Sequence, residues 1–160
     1  MEHKKIYDRQ FACVYRVCKL YLHNIHDAED AVQSIFLKAF EKEVSFTDEE
    51  HEKAWFITVA KNYCKDQLKS RWFSRRVEYS RVPEASYEEE FYDRGLYEEI
   101  MQLPEKYREV IYLYYYEDYS IRELAALLGR KQSTLQTQLA VGRKKLKVLL
   151  KDQEEMEVVR

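Results

Sequence analysis

A chain of 160 residues can hold one ordinary domain or two small ones, and 46% hydrophobic with 35% charged residues is the balance of a folded protein, not a disordered one. Three glycines and two prolines are too few for a fold of many strands and tight turns, and no apolar run approaches the roughly 20 residues that cross a bilayer, so helices without membrane insertion are expected. The net charge of −2 conceals a segregation: residues 27–52 set two lysines against nine acids (−7), 53–81 eight bases against two acids (+6), 82–104 one arginine against seven acids (−6), and 130–151 seven bases against none (+7). A merely solvated surface has no need of such blocks.

In chain order, a first helix is predicted from about Lys4 to His23, with Tyr7, Phe11, Val14, Cys18, Tyr21 and Ile25 at steps of three and four on one face. The opening residues carry charge before mixed sequence and show no apolar leader core, which reads as cytoplasmic. Cys13, Cys18 and Cys64 make no CxxC pair and have apolar neighbours, the pattern of buried free thiols. His23, His26, Asp27 and Asp30 could be a metal cluster or a polar turn before a helix; the turn is the reading adopted, and no metal or cofactor is expected. A second helix is predicted from Asp27 as N-cap, with Ala28, Val32, Ile35, Ala39 and Phe40 as its apolar face. An acidic loop follows from Glu41 to about Glu50. The third helix, about Glu52 to Arg71, has Ile57, Ala60, Cys64 and Leu68 as its buried stripe. Three such helices can enclose one core.

Periodicity fails from Trp72 to about Leu96, where Ser80, Pro83, Ser86 and Glu88–Glu90 read as a linker. It resumes at Leu96, Ile100 and Leu103. Pro104 suits the first turn of a helix that carries Tyr107, Val110, Ile111, Tyr114 and Tyr115 to about Glu117. Ser120 then caps a short helix, Ile121–Leu128, with Glu123 at the capping-box position and Gly129 as its left-handed end. A last helix is predicted from about Gln132 to Lys151, with a frayed acidic tail beyond.

Two surfaces carry chemistry. Residues 121–139 have the arithmetic of a helix-turn-helix: Leu124 and Leu128 face inward, Ala125 is small at a helix crossing, Gly129 turns, and Leu135 and Leu139 anchor the second helix. That leaves Gln132, Ser133, Gln136, Thr137 and Gln138 outward, residue types that bond base edges or phosphates. Arg130, Lys131, Arg143, Lys144, Lys145 and Lys147 flank them as phosphate partners. A helical hairpin with a solvated polar face has the same pattern. On the third helix Thr58, Lys61, Asn62, Lys65 and Lys69 form a polar stripe, continued by Arg71, Arg75, Arg76 and Arg81, with Trp55, Phe56, Tyr63, Trp72 and Phe73 beside it. Bases with aromatics suit melted or single-stranded nucleic acid; a solvated helix face is the alternative.

Together these features resemble one family, the bacterial RNA polymerase sigma factors of the extracytoplasmic-function (ECF, group IV) class, over about residues 4–150. The run Asp27–Phe40 is similar to the family's core-polymerase-binding helix. Ala54–Asn62, followed by Asp66–Lys69, is similar to the segment that opens and reads the minus-ten element. Leu103–Val110, continuing through the helix-turn-helix, is similar to the segment that reads the minus-thirty-five element. The resemblance implies an all-α fold of two small helical domains, a three-helix unit over 1–72 and a helix-turn-helix unit over 96–152, joined by an acidic linker over 73–95. It implies core RNA polymerase, promoter DNA and an anti-sigma factor as partners, and no catalysis by this chain. Asp30, Gln33, Ser34 and Leu37 would dock on the polymerase clamp helices. Trp55, Thr58, Lys61, Asn62, Lys65, Lys69 and Arg71 would meet minus-ten DNA. Arg130, Lys131, Gln132, Ser133, Gln136, Thr137, Gln138, Arg143 and Lys144 would meet minus-thirty-five DNA. The chain departs from the family where Gln136, Gln138 and Val141 stand in place of basic residues, Ser34 in place of a glutamate, and acids in the loop Glu43–Glu52. Weak or unusual minus-thirty-five recognition is expected from the first of these departures, while Ser34 bears on a polymerase contact and the acidic loop on the handling of a flipped base. Two other functions share the features: a stand-alone helix-turn-helix regulator, which would normally dimerise on paired half-sites, and an adaptor that keeps the fold without reading DNA.

Overall fold

The computed structural model describes the backbone of residues 2–74 and 94–159 and the side chains of 2–70 and 96–152. It is all-α, and no strand occurs among the described residues. The chain divides into two compact units, Met1–Tyr87 and Glu88–Arg160. The linker expected over 73–95 lies almost wholly outside the described residues.

The first unit is built from α1 (Glu2–Leu22), α2 (Ile25–Glu41) and α3 (Glu49–Ser74). Helix α1 packs against both others, and Val14, Cys18, Ala28, Ile35, Phe56, Ala60 and Cys64 are wholly enclosed between them. Two expected details differ. Tyr7 is exposed at 39%, and the apolar face of α1 instead includes Ile6, Cys13 and Val17. Helix α2 starts two residues before Asp27, because Asn24, extended at φ −143°, accepts a hydrogen bond from the Asp27 backbone N–H at 2.9 Å and so occupies the N-cap. Asp27 becomes a first-turn acid, favourable to the helix dipole. His23, at φ +58°, reverses the chain between α1 and α2.

The far end of α2 closes in a Schellman arrangement: Val44 N–H donates to Ala39 O, Glu43 N–H to Phe40 O, and Glu43 takes the left-handed conformation at φ +53°. Phe46 in the following loop then packs edge-on against Trp55 and lies beside Phe56, which fixes the entry to α3. A polar network, unanticipated from periodicity, ties that entry to α1. Buried Glu52 accepts hydrogen bonds from Arg9 Nε and Nη2 at 2.9 and 2.8 Å and from Gln10 Nε2 at 2.8 Å. This bidentate pairing holds the Glu52 carboxyl below its usual range, first through the Arg9 hydrogen bonds. Cys13, Cys18 and Cys64 are buried free thiols, as their neighbours suggested.

The second unit comprises α4 (Arg94–Met101), α5 (Glu105–Tyr115), α6 (Ile121–Leu128) and α7 (Gln132–Val159). Pro104 is the N-cap of α5, one position earlier than a first-turn proline, and the helix ends at Tyr115. The chain then turns through Asp118 at φ +62°, while the Tyr112 hydroxyl donates to buried Glu117 at 2.5 Å. Ser120 and Glu123 form the reciprocal capping box at the start of α6, and Gly129, at φ +69°, ends it. Leu124, Leu128, Leu135 and Leu139 face the core with Val110, Ile111 and Tyr112. Ala125 is only half-buried. A close helix approach falls at Gly142 of α7, where a Cβ would stand 2.9 Å from Ile111 Cγ1. Helix α7 does not stop at Lys151; its backbone stays helical to Val159.

Candidate nucleic-acid interface

Packing decides which residues each helix leaves for other molecules. On α2, burial of Ala28, Ala31, Val32, Ile35, Phe36 and Ala39 turns the opposite side outward. Asp30, Gln33 and Leu37 are exposed there, and Ser34 is half-buried beside them. Steps of three and four place all four on one strip. Leu37 is 61% exposed, an apolar side chain that no core contact explains.

On α3, Phe56, Ile57, Ala60 and Cys64 go inward, and the polar stripe flanks them. Asn62 and Lys69 are exposed; Thr58, Lys61 and Lys65 are half-buried. The Lys65 ammonium lies 6.0 Å from the Tyr21 ring centre, so its stem is partly held against α1. Trp55 is half-buried and packs on Phe46 and Phe56, at centroid distances of 5.5 and 5.0 Å. It shapes the α2–α3 loop as much as it offers a stacking face. Arg71 is within α3, and its side chain, like Arg75, Arg76 and Arg81, lies outside the described residues.

The second unit brings the helix-turn-helix face together. Lys131, Gln132, Ser133, Gln136 and Thr137 are exposed around the start of α7, opposite Leu135 and Leu139. Lys144, Lys145 and Lys147 are exposed further along. Three members of the predicted set, Arg130, Gln138 and Arg143, are committed to partners within the unit, and Gln138, expected outward, is half-buried. Arg130 pairs through Nη2 with Glu109 of α5 and donates from Nη1 to Gln138 Oε1 at 3.0 Å. Arg143 donates to the Tyr115 hydroxyl at 2.6 Å and lies 5.9 and 5.7 Å from the Tyr114 and Tyr115 ring centres. Tyr115, at the end of α5, is 46% exposed. It joins Arg143 in a basic, aromatic patch that periodicity did not reveal. Glu109 likewise escaped notice, since nothing in its neighbours distinguishes a buried glutamate from a solvated one.

Profiles of known families match both units. The Sigma-70 region 2 profile matches residues 6–74, and the Sigma-70, region 4 profile matches 93–146. Among curated relatives, the ECF RNA polymerase sigma factor SigW of Bacillus subtilis is 26% identical over 156 residues, covering 87% of this chain and 83% of SigW. SigL of Mycobacterium tuberculosis, also an ECF RNA polymerase sigma factor, is 29% identical over 157 residues, covering 93% of this chain and 89% of its own. Among solved structures, the sigma factor RpoE of Bartonella quintana, in complex with the anti-sigma factor NepR, superposes with a TM-score of 0.74 at 24% identity, covering 94% of this chain and 97% of RpoE. CnrH, in complex with the cytosolic domain of CnrY, gives 0.65 at 21% identity, covering 94% and 88%. These structural likenesses speak to the fold; the two region profiles, in order and spanning most of the chain, and relatives matched over nearly their full length speak to descent. The chain belongs to the sigma-70 family, in its extracytoplasmic-function class.

Proposed function

We propose that this sigma factor works through three separate faces, one for core polymerase and two for promoter DNA, each on a helix whose opposite side is fixed by packing. The Asp30, Gln33, Ser34 and Leu37 strip docks on core polymerase. Asn62, with Lys61 and Lys65, meets the opened minus-ten element, and Trp55, Thr58, Lys69 and Arg71 extend that surface. Gln132, Ser133, Gln136 and Thr137 enter the minus-thirty-five major groove, with Lys131 and Lys144 on phosphates. The observation that carries this reading is the exposed polar start of α7, set behind a complete capping box and a left-handed glycine, because that frame presents a helix end to a groove.

The polymerase performs nucleotidyl transfer, so the chain itself acts without catalysis, in the cytoplasm where that enzyme works. The RpoE structure, solved with the anti-sigma factor NepR, supports an anti-sigma partner for this chain too. Among the described residues no helix is long and apolar enough to cross a membrane.

Run-off transcription with purified core enzyme on a genomic library tests the proposal. Defined start sites that depend on this protein are expected; their absence refutes promoter reading and favours an adaptor. Binding of DNA by the chain alone, as a dimer on paired half-sites, would favour a stand-alone regulator. Gln33→Ala should weaken core-enzyme association by about three- to tenfold, as loss of one interfacial polar contact does. Undiminished affinity in a competition assay removes the α2 strip from the interface.

A further inference from the structure

Arg130 sits in the turn between α6 and α7, beside an exposed lysine, where a phosphate contact would be the ordinary reading. Its surroundings say otherwise. The Arg130 side chain is 20% exposed and the Glu109 side chain only 3%, so the carboxylate of α5 is sealed beneath the turn with the guanidinium over it. The second arm of the guanidinium reaches Gln138, one and a half turns into α7. A guanidinium has donors and no acceptor, so the carboxamide atom facing it must be the oxygen. With Oε1 held on the guanidinium, one of its two lone pairs is taken and the carboxamide is oriented, so its oxygen and its N–H donors are not both free to swing onto one base edge. Bidentate reading of adenine requires a glutamine to accept from N6 and donate to N7 at once. Gln132 and Gln136 are exposed and carry no such clamp among the described residues.

We propose that Arg130 is a positioning residue of the recognition helix and not a phosphate contact: braced by Glu109, it holds the Gln138 carbonyl inward, so Gln138 offers DNA donors only. The base facing Gln138 should then present an acceptor edge, guanine N7 and O6 or thymine O4, and adenine should be disfavoured there. This rests on the minus-thirty-five reading above.

The test uses the full chain assembled with core polymerase, selected on promoters randomised through the minus-thirty-five element, with binding of the winners followed across salt concentrations. Lys131→Ala is the phosphate-contact reference and should lower the slope of log affinity against log salt by about 0.9. Arg130→Ala should leave that slope unchanged and raise the share of adenine at one position by about tenfold. Arg130→Lys should behave like Arg130→Ala, because a point charge cannot reproduce the fork. If instead Arg130→Ala loses about 0.9 of slope, Arg130→Lys restores it, and base preference stays put, Arg130 contacts phosphate and the proposal is wrong.

Arg130→Ala removes the arginine from a buried carboxylate, so Glu109→Gln/Arg130→Ala serves as the folded equivalent should the single variant melt. If the wild-type holoenzyme selects no sequence at all, promoter reading itself fails, and the positioning claim is judged without DNA. Arg130→Ala and Gln138→Ala should then shift the urea midpoint of the full chain non-additively; additive shifts overturn it.

Discussion

Two buried carboxylates show opposite pH behaviour, set by which influence on the charge is larger. Glu52 is buried but receives three hydrogen bonds from Arg9 and Gln10, and its folded pKa is depressed. The stabilisation it provides is present above the ordinary carboxylate range and is lost as pH falls through the depressed folded value. Glu52→Gln should therefore lower the urea midpoint of the first unit at pH 7, with the gap to wild type closing as the solution is acidified. Glu99 is the reverse case. Burial, then the neighbouring Glu98 charge, raises its folded pKa. Its contribution is most favourable below the unfolded value and declines as pH rises through the folded one. Glu99→Gln should raise the midpoint of the second unit at pH 7 and leave it unchanged in acid. A constant offset across pH would show that lost contacts, not charge, set the effect.

At the scale of elements, legibility followed the range of the interactions that decide each boundary. Helix α6 was readable to the residue because Ser120, Glu123 and Gly129 act on their own backbone within a turn. Ser120→Ala should accordingly cost about 1 kcal/mol in equilibrium unfolding. The start of α2 was misplaced because Asn24 and Asp27 are both good caps locally, and the reversal at His23 puts Asn24 in the extended conformation that capping needs. The end of α7 was set too early from its acidity, although Gln153, Glu154, Glu155 and Met156 are strong helix formers. Contacts between distant residues were invisible. The outward stripes of α2, α3 and α7 followed from spacing, whereas the Arg130–Glu109 pairing spans 21 positions and the Arg9–Glu52 pairing 43. Gly142 belongs to the same class. A glycine inside a helix lowers its propensity, yet the missing Cβ of Gly142 lets α5 and α7 close over Ile111. Gly142→Ala should destabilise the second unit by about 1 kcal/mol, overpacking outweighing the gain in helix propensity, and Ile111→Val should restore much of it. A stabilised single variant in thermal unfolding would contradict that packing.

At the scale of the whole chain, the charge blocks alternate along the elements. Bases lie along α3 and α7, and the region before α4 is acidic. Two modest DNA contacts gain from being on one polypeptide, since the second becomes intramolecular once the first forms. A protease site placed between residues 75 and 93 and cut after holoenzyme assembly should abolish dependence on the minus-thirty-five element while the first unit stays bound to core enzyme. Retained dependence in a transcription assay would mean that the second unit is held by polymerase alone. The three cysteines all belong to the first unit, and the Cys18 thiol, hydrogen-bonded to Cys64 in a dry interior, has its pKa pushed well up. Enclosed sulfurs of this kind react with a labelling reagent only when α1 parts from α3. The chain thus carries a native chemical clock: the rate at which a maleimide or aromatic disulfide is consumed reports breathing of the first unit alone, with the second unit, which holds no cysteine, contributing no signal.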